Sequence, residues 1–212
     1  MSRMEVKNMK DWKKLASDNS ISKTVLALQA NGIQAIVVDN KQQAKEKISE
    51  LLPKGAEVMP MTSVTLDTIG ISKEINESGN YNSVRQKLMT MDRKTQSLEM
   101  QKLGASPEWT IGSVQAVTED GHILIASNTG SQLSAYVYGS PHVVWVVGSQ
   151  KIVTNTDEGI KRIYEHVLPL ESERVKKAYG MERSNVSKLL IINKEIKPNR
   201  ITVIFVKESL GF

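Results

Sequence analysis

The run Val143-Val144-Trp145-Val146-Val147 has no polar residue at any second position. A strand with one wet face alternates apolar and polar side chains, and a strand covered on both faces does not. The run therefore predicts a central strand of a parallel sheet with packed layers on either side. At five residues it is far short of the ~20 needed to cross a bilayer as a helix. The segments before it supply the layers. Ile33–Val38 reads as a strand, and Asn40 caps a helix whose apolar face is Ala44, Ile48, Leu51 and Leu52, stopped by Pro53. Ala56–Met61 reads as a second strand, and a helix starts near Leu66. Strand and helix in alternation imply parallel pairing. The expected class is α/β, with an open, mainly parallel sheet flanked by helices.

The remaining elements follow from turn chemistry and spacing. Residues 5–31 carry apolar residues near helical spacing, from Val6, Met9 and Trp12 to Leu28, and predict a helix with residues 1–20 as a helical N-terminal extension. Residues 72–104 read as helical with a turn at Gly79-Asn80, and Ser106-Pro107-Glu108 has the form of a helix start. Beyond 110, glycines at 112, 121, 130, 139 and 148 punctuate short strands. Ile111–Val117 and His122–Ala126 are expected to pair about Glu119-Asp120-Gly121. Leu133–Tyr138 reads as a short helix, and Thr156 as the cap of another. Residues 171–212 read as a basic helix, closed by Gly180, plus a β-hairpin of Lys188–Ile192 and Ile201–Val206, an antiparallel addition to the sheet. No low-complexity linker interrupts the chain, so residues 1–212 are expected to form one domain.

Composition excludes several classes of function. There are no cysteines, which removes a thiol nucleophile, a thiolate zinc site and a cysteine-held iron–sulfur cluster. His122, His142 and His166 are widely separated and give no metal pattern; no metal site is expected. The two common glycine-rich nucleotide loops and the Gly-x-Ser-x-Gly elbow are absent. The net charge of +5 is concentrated at the two ends of the chain. With 3 Trp and 2 Phe in the chain, a row of aromatics for stacking nucleic-acid bases is not expected. The N-terminus has no apolar core of a secretory signal, and the simplest expectation is a cytoplasmic protein without a membrane span.

Three polar segments adjoin predicted strand ends, where open α/β sheets gather ligands. Met61-Thr62-Ser63-Val64-Thr65 joins a strand to a helix; its hydroxyls suit a phosphate or carboxylate, or simply cap the helix. Thr118-Glu119-Asp120-Gly121 offers a carboxylate at the end of a buried strand, as a nucleophile or as part of a plain hairpin turn. Ser127-Asn128-Thr129-Gly130-Ser131-Gln132 is a second candidate anion cradle, or an ordinary polar loop. Ser63, Thr65, Glu119, Asn128, Thr129, Gly130 and Gln132 are expected to border one crevice.

The run from Ala116 to Val153, AVTEDGHILIASNTGSQLSAYVYGSPHVVWVVGSQKIV, closely resembles the lactate-utilisation (LUD) domain family. The upstream MTSVTLDTIGI and the tail from Pro169 to Phe212 are similar to that family as well. The resemblance implies the fold of the NagB/RpiA/CoA-transferase-like superfamily, with 5-formyltetrahydrofolate cyclo-ligase as an architectural relative. Two positions depart from the family pattern. Pro60, Met61 and Thr62 stand where members have two glycines before the serine, and Gln132 stands where many carry Arg. Gln can hydrogen-bond an anion but cannot neutralise it.

The resemblance implies a cluster-free component of lactate or related organic-acid utilisation, binding a small anionic metabolite or an iron–sulfur oxidoreductase subunit, with oligomerisation open and the cofactor unknown. Superfamily likeness implies a second reading, in which Glu119 attacks an acyl donor as in CoA transferases. The family resemblance also points to His142, after Pro141, as a ligand-binding residue. A third reading is a non-catalytic assembly or sensing protein.

Overall fold

The computed structural model describes residues 10–212. In chain order its strands are β1 (Gln34–Val38), β2 (Glu57–Pro60), β3 (Asn82–Ser83), β4 (Trp109–Gly112), β5 (Ala116–Thr118), β6 (Ile123–Ser127), β7 (His142–Gly148), β8 (Ile152–Val153), β9 (Lys188–Ile192) and β10 (Ile201–Val206). The α-helices are α1 (Asp18–Ala30), α2 (Lys41–Leu51), α3 (Val64–Ile69), α4 (Ile71–Glu77), α5 (Val84–Met89), α6 (Ser97–Ala105), α7 (Thr156–Arg162) and α8 (Leu168–Tyr179). A wider π-turn, Ile163–Val167, joins α7 to α8, and another spans Ala135–Gly139.

Six strands form one sheet in the order β1-β10-β7-β4-β2-β3, parallel at every pairing. As the apolar run requires, β7 lies inside this sheet, with Trp145 opposite Val203 of β10 and Gly112 of β4. Its residues alternate between two cores. Val143, Trp145 and Val147 face α1 and pack with Leu28, Ile33 and Phe205. Val144 and Val146 face the other way, with Ala44 and Ile48 of α2 and Leu66 of α3. Burial of each such aliphatic side chain contributes about 1.5–3 kcal/mol, so the alternation holds the register of the sheet.

A second sheet, β8-β5-β6-β9, lies on the α1 side. Val117, Ile123 and Ile125 turn toward the first core, and Ala116, Leu124 and Val153 pack outward with Ile163 and Trp12. The layers thus run from α2–α4, through the parallel sheet, to α1 and the second sheet, and then to α7.

Several expected elements differ. The two C-terminal strands do not form a hairpin. Strand β9 is antiparallel to β6 at the edge of the second sheet, while β10 is parallel to both β1 and β7 in the first. The burial explains the split: all six residues of β10 are buried, which an edge position cannot provide, whereas β9 is half exposed. Ile111–Val117 likewise divides between the sheets, β4 ending at Gly112 and β5 starting at Ala116. The helix expected over 5–31 begins only at Asp18, where the Ser17 hydroxyl accepts from the Ser20 N–H at 3.2 Å. Residues 10–17 of the expected helical extension are not helical, and residues 1–9 lie outside the described part. The stretch 72–104 breaks into α4, β3, α5 and α6. Ser106-Pro107-Glu108 opens no helix, because the β-favouring Trp109-Thr110-Ile111 follows it into β4. Asn155, not Thr156, caps α7, its Oδ1 accepting from the Glu158 N–H at 3.0 Å.

Candidate functional site: a cleft with a buried lysine at its floor

Parallel pairing brings the C-terminal ends of β2, β4 and β7 to one edge. The residues just beyond them, Met61–Thr65, Ser113–Gln115 and Lys151, line a cleft of about 1490 Å³. The loop Ser127–Gln132 after β6 and the helices α5, α6 and α8 contribute further walls.

At its floor, Lys151 is 2% exposed. Its Nζ donates to Thr65 Oγ1 at 3.1 Å and to Ser113 Oγ at 3.0 Å. The Thr65 hydroxyl proton is committed to the Leu210 carbonyl at 3.3 Å, so Thr65 can only accept from the amine. Burial holds the Lys151 amine well below the ordinary lysine range, and the nearby Arg162 guanidinium pushes it further down. Arg162, from the end of α7, is itself 0% exposed. Its Nη1 donates to the carbonyl of Gln115, a residue of the cleft wall, while Nε and Nη2 have no partner among the described residues. Burial brings its pKa down to about 10. Among the described residues no carboxylate acts on either group.

Two of the arginines that line the cleft are engaged by the chain itself. Arg174 grips Glu171 through Nε and Nη2, both at 2.7 Å, which raises its pKa. Arg85 uses the same edge on the Pro60 carbonyl, at 3.0 and 2.7 Å, and reaches Thr62 Oγ1 at 3.1 Å. Among the described residues no group of three or more His, Cys, Asp or Glu could hold a metal ion.

The model of the LUD domain family matches residues 21–206. The chain belongs to that family. Among solved structures, a DUF162 family protein from Deinococcus radiodurans is similar to it, with a TM-score of 0.56 at 12% identity, covering 91% of this chain and 99% of that one. At that identity the likeness speaks for the fold alone. Comparison with curated proteins finds no match.

Of the candidate residues, Ser63, Thr65, Asn128, Thr129, Gly130 and Gln132 of this LUD domain all line the cleft. Most are also engaged locally. Ser63 caps α3, its Oγ accepting from the Leu66 N–H at 3.4 Å. Ser127 Oγ accepts from the Gly130 N–H at 2.8 Å and donates to Gln132 Oε1 at 3.0 Å, folding the loop on itself. Asn128 accepts from Ser187 Oγ at 3.0 Å.

Glu119 does not share the crevice, and that expectation is corrected. Its carboxylate accepts from Ser20 Oγ at 2.7 Å and from Lys23 Nζ at 2.9 Å, both on α1. The Ser20 bond, then the Lys23 bond, lowers its pKa. The same turn is clamped to α1 elsewhere: Asn31 Nδ2 donates to the carbonyls of Asp120 and Gly121, both at 3.2 Å. Gly121, at φ 83°, lies so close to the Ala27 backbone that a Cβ would collide with it. The Thr-Glu-Asp-Gly turn therefore works as a packing clamp. His142 also lies away from the cleft. It opens β7 at the opposite edge of the sheet, with its ring stacked on Trp109 at 4.2 Å.

Lys151 and Ser113 of the cleft, and Arg162 behind the Gln115 wall, are absent from the sequence-derived set. Lys151 left one trace, a lone lysine between the apolar runs Val143–Val147 and Ile152-Val153. Arg162 left none, since a helical arginine in a Lys-Arg pair reads as a solvated residue.

Proposed function

We propose that this LUD domain binds a small organic acid at the C-terminal edge of its parallel sheet, and that it does so as a cluster-free component of lactate or related organic-acid utilisation in the cytoplasm. One observation carries the reading. Lys151 lines the cleft as a buried amine and Arg162 lies buried behind the Gln115 wall, and no acid among the described residues balances either. A buried charge without a partner is costly. An incoming carboxylate supplies the missing counter-charge at the Lys151 amine. The hydroxyls of Thr65 and Ser113 hold the amine in place, and the 127–132 loop closes one side. With no cysteine in the chain, electron transfer in such a system falls to a partner subunit carrying an iron–sulfur cluster.

Calorimetric titration with L-lactate, pyruvate and inorganic phosphate tests this. Saturable binding of an organic acid that weakens at least tenfold in Lys151→Met supports the reading. The absence of binding for all three, or unchanged affinity in the variant, overturns it.

A further inference from the structure

Three neighbouring strands bring three polar side chains to one point of the cleft. In the sheet order β7-β4-β2, Lys151 closes the turn after β7, Ser113 directly follows β4, and Thr65 lies in the first turn of α3 after β2. Lys151 Nζ is 3.0 Å from Ser113 Oγ and 3.1 Å from Thr65 Oγ1. The two hydroxyls are not equivalent. Thr65 is 1% exposed and its proton is committed to the Leu210 carbonyl, so it holds one hydrogen of the amine and has none to give. Ser113 is half-buried and lines the cleft, and among the described residues its hydroxyl has no partner other than Lys151. On a neutral amine the nitrogen lone pair is open to the Ser113 proton. A hydroxyl facing a cleft, a base within hydrogen-bond reach and a third group that orients the base are the parts of an activated nucleophile.

We infer that Ser113 and Lys151 form a nucleophile–base pair that hydrolyses a carboxylic ester with an apolar acyl group. The inference goes beyond the organic-acid reading and does not depend on it. Ser113 Oγ forms a bond to the ester carbonyl carbon, the C=O π pair moves to oxygen, and the Ser113 proton passes to Lys151 Nζ. The oxygen pair then returns, the bond to the leaving alkoxide breaks, and the alkoxide takes the proton from Lys151 and departs as an alcohol. Water repeats the sequence on the acyl group now held by Ser113. Its proton goes to Lys151 and on to Ser113 Oγ as that oxygen leaves, which frees the acid. Ester and water have become acid and alcohol, with no change of oxidation state. Lysine can serve as the base only while neutral, and burial supports this by holding Lys151 below the ordinary lysine range. An unperturbed lysine is neutral in only about one molecule in a few thousand at pH 7. The acyl class follows from the cleft. Its volume of about 1490 Å³ leaves room beyond Ser113, and Met61, Leu88, Met89, Met91, Met100 and Val114 are among its walls. Unbranched methionines adapt their shape to a flexible chain.

The test treats the full chain with a fluorophosphonate probe, read by intact mass and peptide mapping, and follows hydrolysis of p-nitrophenyl acetate and p-nitrophenyl octanoate. The expected adduct is one phosphonyl group, on Ser113. Octanoate hydrolysis should fall about 100-fold in Ser113→Ala. Lys151→Met should lower kcat by about as much, and so should Lys151→Arg, whose guanidinium stays protonated, with thermal melts showing that each variant is folded. Thr65→Val, which removes the acceptor that orients the amine, should lower kcat about tenfold at unchanged KM, and Thr65→Ser should restore it. The octanoate ester should exceed the acetate ester about tenfold in kcat/KM. Absence of a Ser113 adduct, hydrolysis no faster than in Ser113→Ala, or Ser113 labelling at the wild-type rate in Lys151→Met overturns the pair. Equal kcat/KM for the two esters overturns the apolar acyl assignment.

Discussion

Two charged sites in this molecule were built in opposite ways. At the turn after β5, the Glu119 carboxylate has a hydroxyl on one oxygen and an ammonium on the other, all supplied by the chain. At the cleft, Lys151 on the floor and Arg162 behind the wall have hydroxyl and carbonyl partners but no acid among the described residues, and two nitrogens of Arg162 bond to nothing described. The first site is balanced by the chain itself. The second has no acid among the described residues, and on the proposed reading that lack of balance separates a binding site from a packing device better than residue type does. A glutamate in a polar turn resembles a nucleophile, and a lysine after an apolar strand resembles nothing in particular, yet the roles are reversed once partners are counted.

The largest effect that would sharpen the contrast is expected at Lys151. Lys151→Met should weaken organic-acid binding by about 100-fold, roughly 2.7 kcal/mol, while stabilising the fold, because an apolar chain of similar shape replaces a desolvated amine. The folded pKa of Lys151 lies below its unfolded value. Between the two, the unfolded chain holds more protons, so wild-type stability rises with pH through that window. Thermal melts should therefore show the variant's advantage growing as pH falls. A variant less stable than wild type at every pH would break the comparison.

A smaller loss, about tenfold in affinity, is expected from Arg162→Lys, which keeps the charge but removes the two-pronged edge. Titration with a monocarboxylate reads it; an unchanged affinity would assign the orphaned N–H groups to packing alone.

Glu158 probes the balanced side. Burial raises its pKa, but bonds from Lys10 and Thr154 outweigh this and leave it lowered to about 2, against an ordinary 4.5. Its contribution is present above pH 4.5 and is lost as pH falls through about 2. Glu158→Gln should cost about 1 kcal/mol at pH 7 and converge with wild type in strong acid, as followed by denaturant melts.

The smallest effect belongs to Glu119→Gln. Loss of one part-exposed ion pair should cost about 0.5–1 kcal/mol in chemical denaturation, with organic-acid affinity unchanged. A tenfold fall in affinity would put Glu119 back among the functional groups.

Much of the fold was legible because it depends on local pattern. The unbroken Val143–Val147 run placed β7 inside a doubly covered sheet, and Asn40 and Gly180 marked helix ends that the structure keeps. The candidate site was legible in part for the same reason: loops that follow parallel strands must meet at one edge, so Ser63, Thr65 and the 128–132 loop converge there. What failed was partner choice. Lys188–Ile192 and Ile201–Val206 look like the arms of one hairpin, but each pairs in a different sheet. Glu119 and His142 also sit next to strands, at positions that face α1 and the far edge.

By itself, then, the order of residues determined the α/β class, the central strand, several helix caps and the LUD-type central segment, since each rests on periodicity, capping or a contiguous motif. The tertiary structure alone decided that Glu119 is bonded to α1, that β10 joins the parallel sheet, and that Lys151 meets Thr65 and Ser113. Those pairings join residues far apart in the chain, and a charge is balanced or left bare only by what folding brings within a few ångströms of it.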